Sequence, residues 1–387
     1  MKKFATLVCT AMMMQGISAQ SFIQAYKNRA DMVTQANITA NLQEFSNLGV
    51  KTTGSQANVN TMNWIKNKYL SYGYTASQIE ESPFTFGSTS SKNLIITKTG
   101  TLYPNKYVII CGHFDTITGP GVNDNGSGTS IILEAARILK NVSTEYSIKF
   151  IHFSGEEQGL RGSSHYVNNV VYQGGVRKLD IKLVINLDQV GGVKGNNNNT
   201  VYCDEDQGGL SSNNAASAAV TQQLRNCTAL YSPLQTAVDP AADTDYIPFE
   251  QKGEVITGFF ERIRSNYPHT SKDTFTNMDP VYVYNIGKAT VGALQHFAAA
   301  STTLPVAKNS LEAVKIYPNP ANNVINIELP DSKENNFSFE ISNSMGRTML
   351  KVNNERKVDV SGLQNGVYIG VLKVGDQTLV KNIMIER

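Results

Sequence analysis

Four short, dense apolar runs occupy the middle of the chain, at residues 107–111, 148–153, 183–187 and 255–260. Runs this brief and this uniformly apolar predict strands buried on both faces, as in a parallel or mixed sheet covered on each side. Between the first two, Ile131, Ile132, Ala135, Ala136, Ile138 and Leu139 recur at helical spacing behind the small residues 127–130. Residues 159–170, 211–224 and 282–300 predict further helices. Strand alternating with helix implies an α/β fold, a mixed, largely parallel sheet flanked by helices. No internal repeat is present, and the asparagines at 196–199 read as a loop. With 41% hydrophobic and 17% charged residues the composition is that of a packed globular chain.

The two ends differ from this middle. Lys2 and Lys3 precede an apolar stretch at 4–14, and Ser18-Ala19 follow. That order predicts a secretory signal peptide over residues 1–19, cut after Ala19. The stretch is short of the roughly 20 residues a bilayer span needs, so no membrane span is expected in the mature protein. Export removes Cys9 and leaves Cys111, Cys203 and Cys227. Cys111 closes an apolar strand, so Cys203–Cys227 is the candidate bridge. Lys and Arg total 34 against 32 for Asp and Glu, which gives no basic surplus for nucleic acid.

Beyond the linker at 304–313 the period becomes two. Ile325, Ile327 and Leu329 alternate with Asn326 and Glu328, and Phe337, Phe339 and Ile341 repeat the pattern. So do Val367, Ile369 and Val371, while Gly375-Asp376 reads as a hairpin turn. The expectation for 314–387 is a small C-terminal all-β sandwich of about 80 residues.

In an open α/β sheet the working residues gather beyond the carboxyl ends of the strands. Here those positions are rich in metal-ligand types. The first run is followed by Gly112-His113-Phe114-Asp115, the second by Ser154-Gly155-Glu156-Glu157, and the third by Asp188. Asp115 shares the strand face of His113 and is placed to orient its imidazole. Alone, this pair reads equally as a hydrogen-bonded core histidine. Asp124 sits in the glycine-rich turn 121–128, where it either serves the following helix dipole or presents a carboxylate. Adjacent Glu156 and Glu157 at a buried strand end repel unless a cation is present, although an exposed acidic turn has the same sequence. His269 lies in the loop before the last helix, with Asp273 placed to orient it. His152, His165 and His296 fall on strand and helix positions that fit structural roles.

Taken in order, GHFDT (112–116), GVNDNGSG (121–128), FSGEEQGLRGS (153–163), NLDQVG (186–191) and HTSKDT (269–274) resemble the co-catalytic zinc aminopeptidases of the secreted bacterial type. The resemblance runs from about residue 93 to 298 and implies a zinc exopeptidase-like domain over 20–303, with a candidate propeptide in its first 25 or so residues. It also implies two Zn2+ per chain. His113 and Asp188 match the ligands of one zinc, Glu157 and His269 those of the other, and Asp124 the carboxylate that bridges them. Glu156 matches the general base acting on a hydroxide shared by the metals, and Asp115 the residue behind the histidine. The implied substrates are peptides or proteins with a free N-terminus. One departure stands out: in DTDYIPF (243–249), Tyr246 replaces the histidine usual in that segment. Asp245 and Tyr246 are the expected substrate-binding residues there.

The C-terminal segment, with YPNPA (317–321) and DVSGLQNGVY (359–368), resembles the sorting domain of type IX secretion. That resemblance implies outer-membrane secretion machinery as a partner and a secreted location reached through the periplasm. An appended carbohydrate-binding sandwich is the alternative. For the enzyme, the alternatives are a glutaminyl cyclase, which is expected to use a single zinc, a carboxypeptidase or dipeptidase of the same fold, and a non-catalytic relative.

Overall fold

A computed structural model describes residues 20–302, 314–329, 336–343, 346–375 and 377–387. The expected signal peptide and linker lie outside them. The chain divides between Leu304 and Pro305 into two compact units.

The first unit opens with three helices, α1 (Gln24–Ala30), α2 (Gln35–Asn47) and α3 (Gln56–Ser71). Thr34 and Ser55 start the second and third by accepting bonds from the backbone N–H groups of Asn37 and Asn58. Strands β1 (Ile79–Phe86), β2 (Thr89–Lys98) and β3 (Tyr103–His113) follow, then α4 (Gly126–Leu139), β4 (Tyr146–Phe153) and α5 (Arg161–Tyr166). A small ribbon, β5 (Tyr172–Gln173) with β6 (Val176–Arg177), precedes β7 (Asp180–Leu187) and β8 (Thr200–Glu205). The unit ends with α6 (Asn214–Tyr231), β9 (Gln235–Pro240), α7 (Ile247–Glu250), β10 (Ile256–Glu261) and α8 (Pro280–Phe297).

The main sheet has eight strands in the order β1-β2-β4-β3-β7-β10-β8-β9. Its middle, β4-β3-β7-β10, is parallel, and these strands are the four apolar runs. β2 joins β4 antiparallel, and β8 joins β10 antiparallel. The fold is therefore the expected mixed α/β sheet flanked by helices. Since the four central strands run the same way, His113, the Glu156–Glu157 turn, Asp188 and Glu261 all fall at one edge of the sheet. The helix expected at 159–170 is shorter: α5 passes into a single wide turn over Val167–Val171.

The N-terminal helices belong to the main core. Tyr26, Ala30, Val33, Ile38, Leu42 and Phe45 are buried against residues of α4 and α8. The Tyr26 hydroxyl donates to the carbonyl of Ala300, and Arg29 donates to Gln295 Oε1 at 3.1 Å. His152 is structural: its Nε2 pairs with the Tyr69 hydroxyl at 2.9 Å, and burial pushes it down to about 3, so it stays neutral. Cys111, Cys203 and Cys227 are all buried free thiols. The candidate Cys203–Cys227 bridge is not formed; both side chains serve as small apolar fillers of the core.

The second unit contains a three-stranded sheet, β11 (Lys315–Tyr317), β12 (Val324–Glu328) and β15 (Lys357–Asp359), and a four-stranded sheet. The latter comprises β13 (Phe337–Ser342), β14 (Thr348–Asn353), β16 (Gly366–Val374) and β17 (Gln377–Ile385). Ile325, Ile327, Phe339, Ile341, Val358, Leu372 and Ile383 form their shared apolar core. Val374 pairs with Gln377 at the expected hairpin, whose Asp376 lies outside the described residues. The phase of β16 is a correction. Tyr368, Leu372 and Val374 face inward, whereas Val367 and Ile369 are exposed. Both faces of this strand are apolar, so hydrophobicity alone does not choose between them. Gly370 does: a Cβ there would lie 3.0 Å from the Phe339 ring, which occupies that space.

A chain beginning at Ser46 tests whether the first helices are removable. Losing even a few of those buried side chains, at about 2–5 kcal/mol each, exceeds a domain stability of about 5–15 kcal/mol. The expected outcome is no cooperative thermal transition by circular dichroism; a stable, active truncated chain would identify the segment as a propeptide.

Candidate active site

Each potential ligand is placed by a local bond that the sequence makes for its own reasons. His113 ends β3, and its Nδ1–H donates to the backbone carbonyl of Asp115 at 3.1 Å. That bond fixes the tautomer and leaves the Nε2 lone pair pointing away from the strand. The Asp115 carboxylate, at 3.7 Å from Nδ1, does something else. It accepts from the Thr53 hydroxyl at 3.0 Å and faces the backbone N–H groups of Glu156 and Glu157 at 3.3 and 3.4 Å. So Asp115 orients the histidine through its main chain and pins the acidic turn through its side chain.

Asp124 is carried on the turn before α4. Gly121 takes a positive φ of 60°, and a Cβ there would meet Thr116 Cγ2 at 2.2 Å. The turn is clamped by Asp273, whose two oxygens accept from Asn123 N and Asp124 N at 2.8 and 3.0 Å. This corrects the expectation that Asp273 orients His269. The Phe45 ring of α2 lies against Gly126 at the start of α4, so the N-terminal helices also support this turn.

These placements converge on two clusters that share one residue. His113 Nε2 lies 3.1 Å from Asp124 Oδ1 and 3.4 Å from Asp188 Oδ1. His269 Nε2 lies 3.1 Å from Asp124 Oδ2 and 2.9 Å from Glu157 Oε2. In each cluster one nitrogen and the carboxylate oxygens lie close enough together to hold a metal ion. Glu156 belongs to neither cluster; its Oε2 is 3.9 Å from His113 Nε2. Asp188 is steadied by the Thr244 hydroxyl at 2.7 Å, and Asp124 accepts from Gln189 Nε2 at 3.2 Å. Thr53, Thr244, Gln189 and Asn123 were not visible as site residues, because a short polar side chain gives no signal until the loops meet.

The electrostatics favour a cation. Burial opposes charge on His113, yet Glu156, Asp188 and the contacts to Asp124 hold it well above the ordinary histidine range. Burial drives Glu156 up, with His113 opposing and Asp188 and Asp245 adding to it. Glu157 rises for the same first reason, helped by Asp124. His113 Nε2 and Asp188 Oδ1 are buried without a hydrogen-bond partner. Lone pairs on buried nitrogen and carboxylate oxygens facing one another need a positive ion between them. The mixed nitrogen and oxygen donors suit zinc.

A cleft of about 350 Å³ opens on the clusters, lined by Asp124, Glu156, Glu157, Asp188, Gln189 and His269 together with Ala242, Asp243, Phe260 and Arg264. Residues 93–293 match the family description "Peptidase family M28". The chain belongs to peptidase family M28. Residues 315–386 match the "Secretion system C-terminal sorting domain", which supports a secreted or cell-surface location for this M28 peptidase. Among the described residues no helix is long and apolar enough to cross a membrane. Similar curated proteins include aminopeptidase YwaD of Bacillus subtilis, 42% identical over 27% of this chain and 23% of the relative. Leupeptin-inactivating enzyme 1 of Streptomyces exfoliatus is 27% identical over 63% of this chain and 53% of its own. Against these two relatives the chain thus spans between about a quarter and about half of the relative's length. The fold matches the Legionella pneumophila LapA aminopeptidase with a TM-score of 0.64 and 21% identity, covering 79% of this chain and 81% of that one. It also matches Macrostomum lignano glutaminyl cyclase, with a TM-score of 0.61 and 14% identity over 74% and 97%. At those identities the likeness is one of fold.

In this M28 peptidase Tyr246, expected at the substrate site, lies in the core beside the cleft. Its ring is fully buried, and its hydroxyl donates to Asp204 Oδ2 at 3.0 Å while accepting from Ala242 N at 2.8 Å. Asp245 is also fully buried, and neither residue lines the cleft. Their neighbours Ala242 and Asp243 do. Tyr246→Phe should therefore destabilise the fold by about 1–3 kcal/mol, by leaving the Asp204 carboxyl without its donor. It should leave KM unchanged within about twofold; a large rise in KM with wild-type thermal stability would return Tyr246 to the substrate site.

Proposed function

We propose that this M28 member is a secreted zinc-dependent aminopeptidase that hydrolyses the N-terminal peptide bond, with two zinc ions per chain. The observation that carries the reading is Asp124, whose two oxygens each face a different histidine–carboxylate cluster. His113 and Asp188 would hold one ion, Glu157 and His269 the other, and Asp124 both. When bound, paired divalent ions supply Lewis acidity that polarises the scissile carbonyl and lowers the pKa of an attacking water.

The chain's own residues do the rest. Glu156 stands beside the clusters without joining them, and its raised proton affinity suits it to take a proton from water and hand it to the departing amine. Asp115 holds the Glu156 backbone in place for that transfer. The cleft admits the end of a peptide, with Phe260, Asp243 and Arg264 as the wall that meets the first side chain. The shared fold leaves glutaminyl cyclase open, but that chemistry is expected to need one cluster and here there are two.

Hydrolysis of Leu-, Arg- and Ala-4-nitroanilides tests this. Activity should vanish on chelation and return with zinc. Glu156→Gln should lose at least about 100-fold in kcat while retaining bound zinc. His113→Ala and His269→Ala should each weaken one of two zinc equivalents. Two bound zinc ions without nitroaniline release would point to a carboxypeptidase, dipeptidase or cyclase, and a chain that binds no zinc would overturn the metallopeptidase reading.

A further inference from the structure

Asp124, Asp188 and His269 arrive on three separate loops, and a spacing that lets one carboxylate serve two clusters needs those loops held at fixed separation. One buried side chain touches all three. Glu261, the last residue of β10, is fully buried and belongs to neither cluster. Its Oε2 accepts from Gly192 N at 2.7 Å, on the loop that follows Asp188. Its Oε1 accepts from Ser265 N at 2.6 Å, on the segment that leads to His269. Asn123, immediately before Asp124, donates its Nδ2 to both oxygens at 3.1 and 3.0 Å.

Asn123 extends the knot. Its Oδ1 accepts from Gly191 N at 2.6 Å, and its carbonyl accepts from the Ser127 hydroxyl at 2.6 Å, at the first turn of α4. Every group aimed at Glu261 in these bonds is an N–H donor, so the position requires a side chain that only accepts. A glutamine of nearly the same shape would turn its own NH2 toward one of those donors and release one loop.

We propose that Glu261 is a positioning residue that sets the separation of the two ligand clusters by tying the loops of Asp124, Asp188 and His269 to the end of β10. The assignment rests on the metallopeptidase reading of those clusters. Its consequence is that Glu261 controls metal affinity without touching metal, as partners behind ligands do elsewhere.

The test is zinc titration of the full chain against a chromogenic chelator, read without substrate, beside thermal melts of the metal-free proteins. Glu261→Gln is compared with Glu134→Gln, a buried carboxylate on α4 that bonds Thr34 and Arg137 away from the clusters. Both variants should lower the melting temperature. Only Glu261→Gln should weaken zinc binding, by about 10–100-fold, with kcat falling more than KM rises. Glu261→Asp should recover part of the affinity. If Glu261→Gln does not fold, Asn123→Ser should show the same loss, since it cuts the Asp124 loop from Glu261. Wild-type zinc affinity in the folded variant would make Glu261 purely structural and overturn the proposal. A wild-type chain that takes up no zinc would overturn it together with the metallopeptidase reading, whereas zinc uptake without peptidase activity counts against the aminopeptidase assignment alone.

Discussion

Sharing Asp124 between His113 and His269 is the constraint to which the other features of the catalytic unit answer. A carboxylate buried between two imidazoles turns one oxygen to each, so its backbone has to be held by other groups. Asp273 supplies that hold through the N–H groups of Asn123 and Asp124. The two histidines also come from distant parts of the chain, one at a strand end and one in a loop. Only a sheet with its central strands running the same way brings their loops to a common edge.

A second layer follows from the surplus of negative charge. Asp115 lies beside, and Asp188 within, the clusters that share Asp124, and each is held by donors that carry no full charge. Backbone N–H groups and hydroxyls do this, from Glu156, Glu157, Thr53 and Thr244. Hydroxyls and amides hold a carboxylate while leaving it further lone pairs, whereas a lysine or arginine there would pair with its charge outright.

Much of this was legible in the sequence because the central strands are buried on both faces and carry few polar residues to blur them. His113, Glu156, Glu157 and Asp188 followed, since each stands just after such a run, while Asp124 and His269 came from the ordered motifs. Features that depend on which way a side chain turns were not legible. β16 is apolar on both faces, so its phase was decided by the Phe339 ring above Gly370. Tyr246 stands where the resemblance implied a substrate contact, but its hydroxyl bonds the buried Asp204, 42 residues away in sequence. The outer strands β1, β2, β8 and β9 mix polar and apolar residues and gave no dense run. Asp115 acts on His113 through its carbonyl, a group every residue carries and no sequence displays.

The docking of α1 against α8 has a consequence for the order in which this unit can close. Tyr26 and Ala300 are bonded across 274 positions, and the helix between Pro280 and Phe297 completes the wall on which α1 and α2 rest. The core of this unit cannot close until residues from its two ends have met. Contacts of such long sequence separation form slowly, so the docking of the first helices is a late event that waits on the last one.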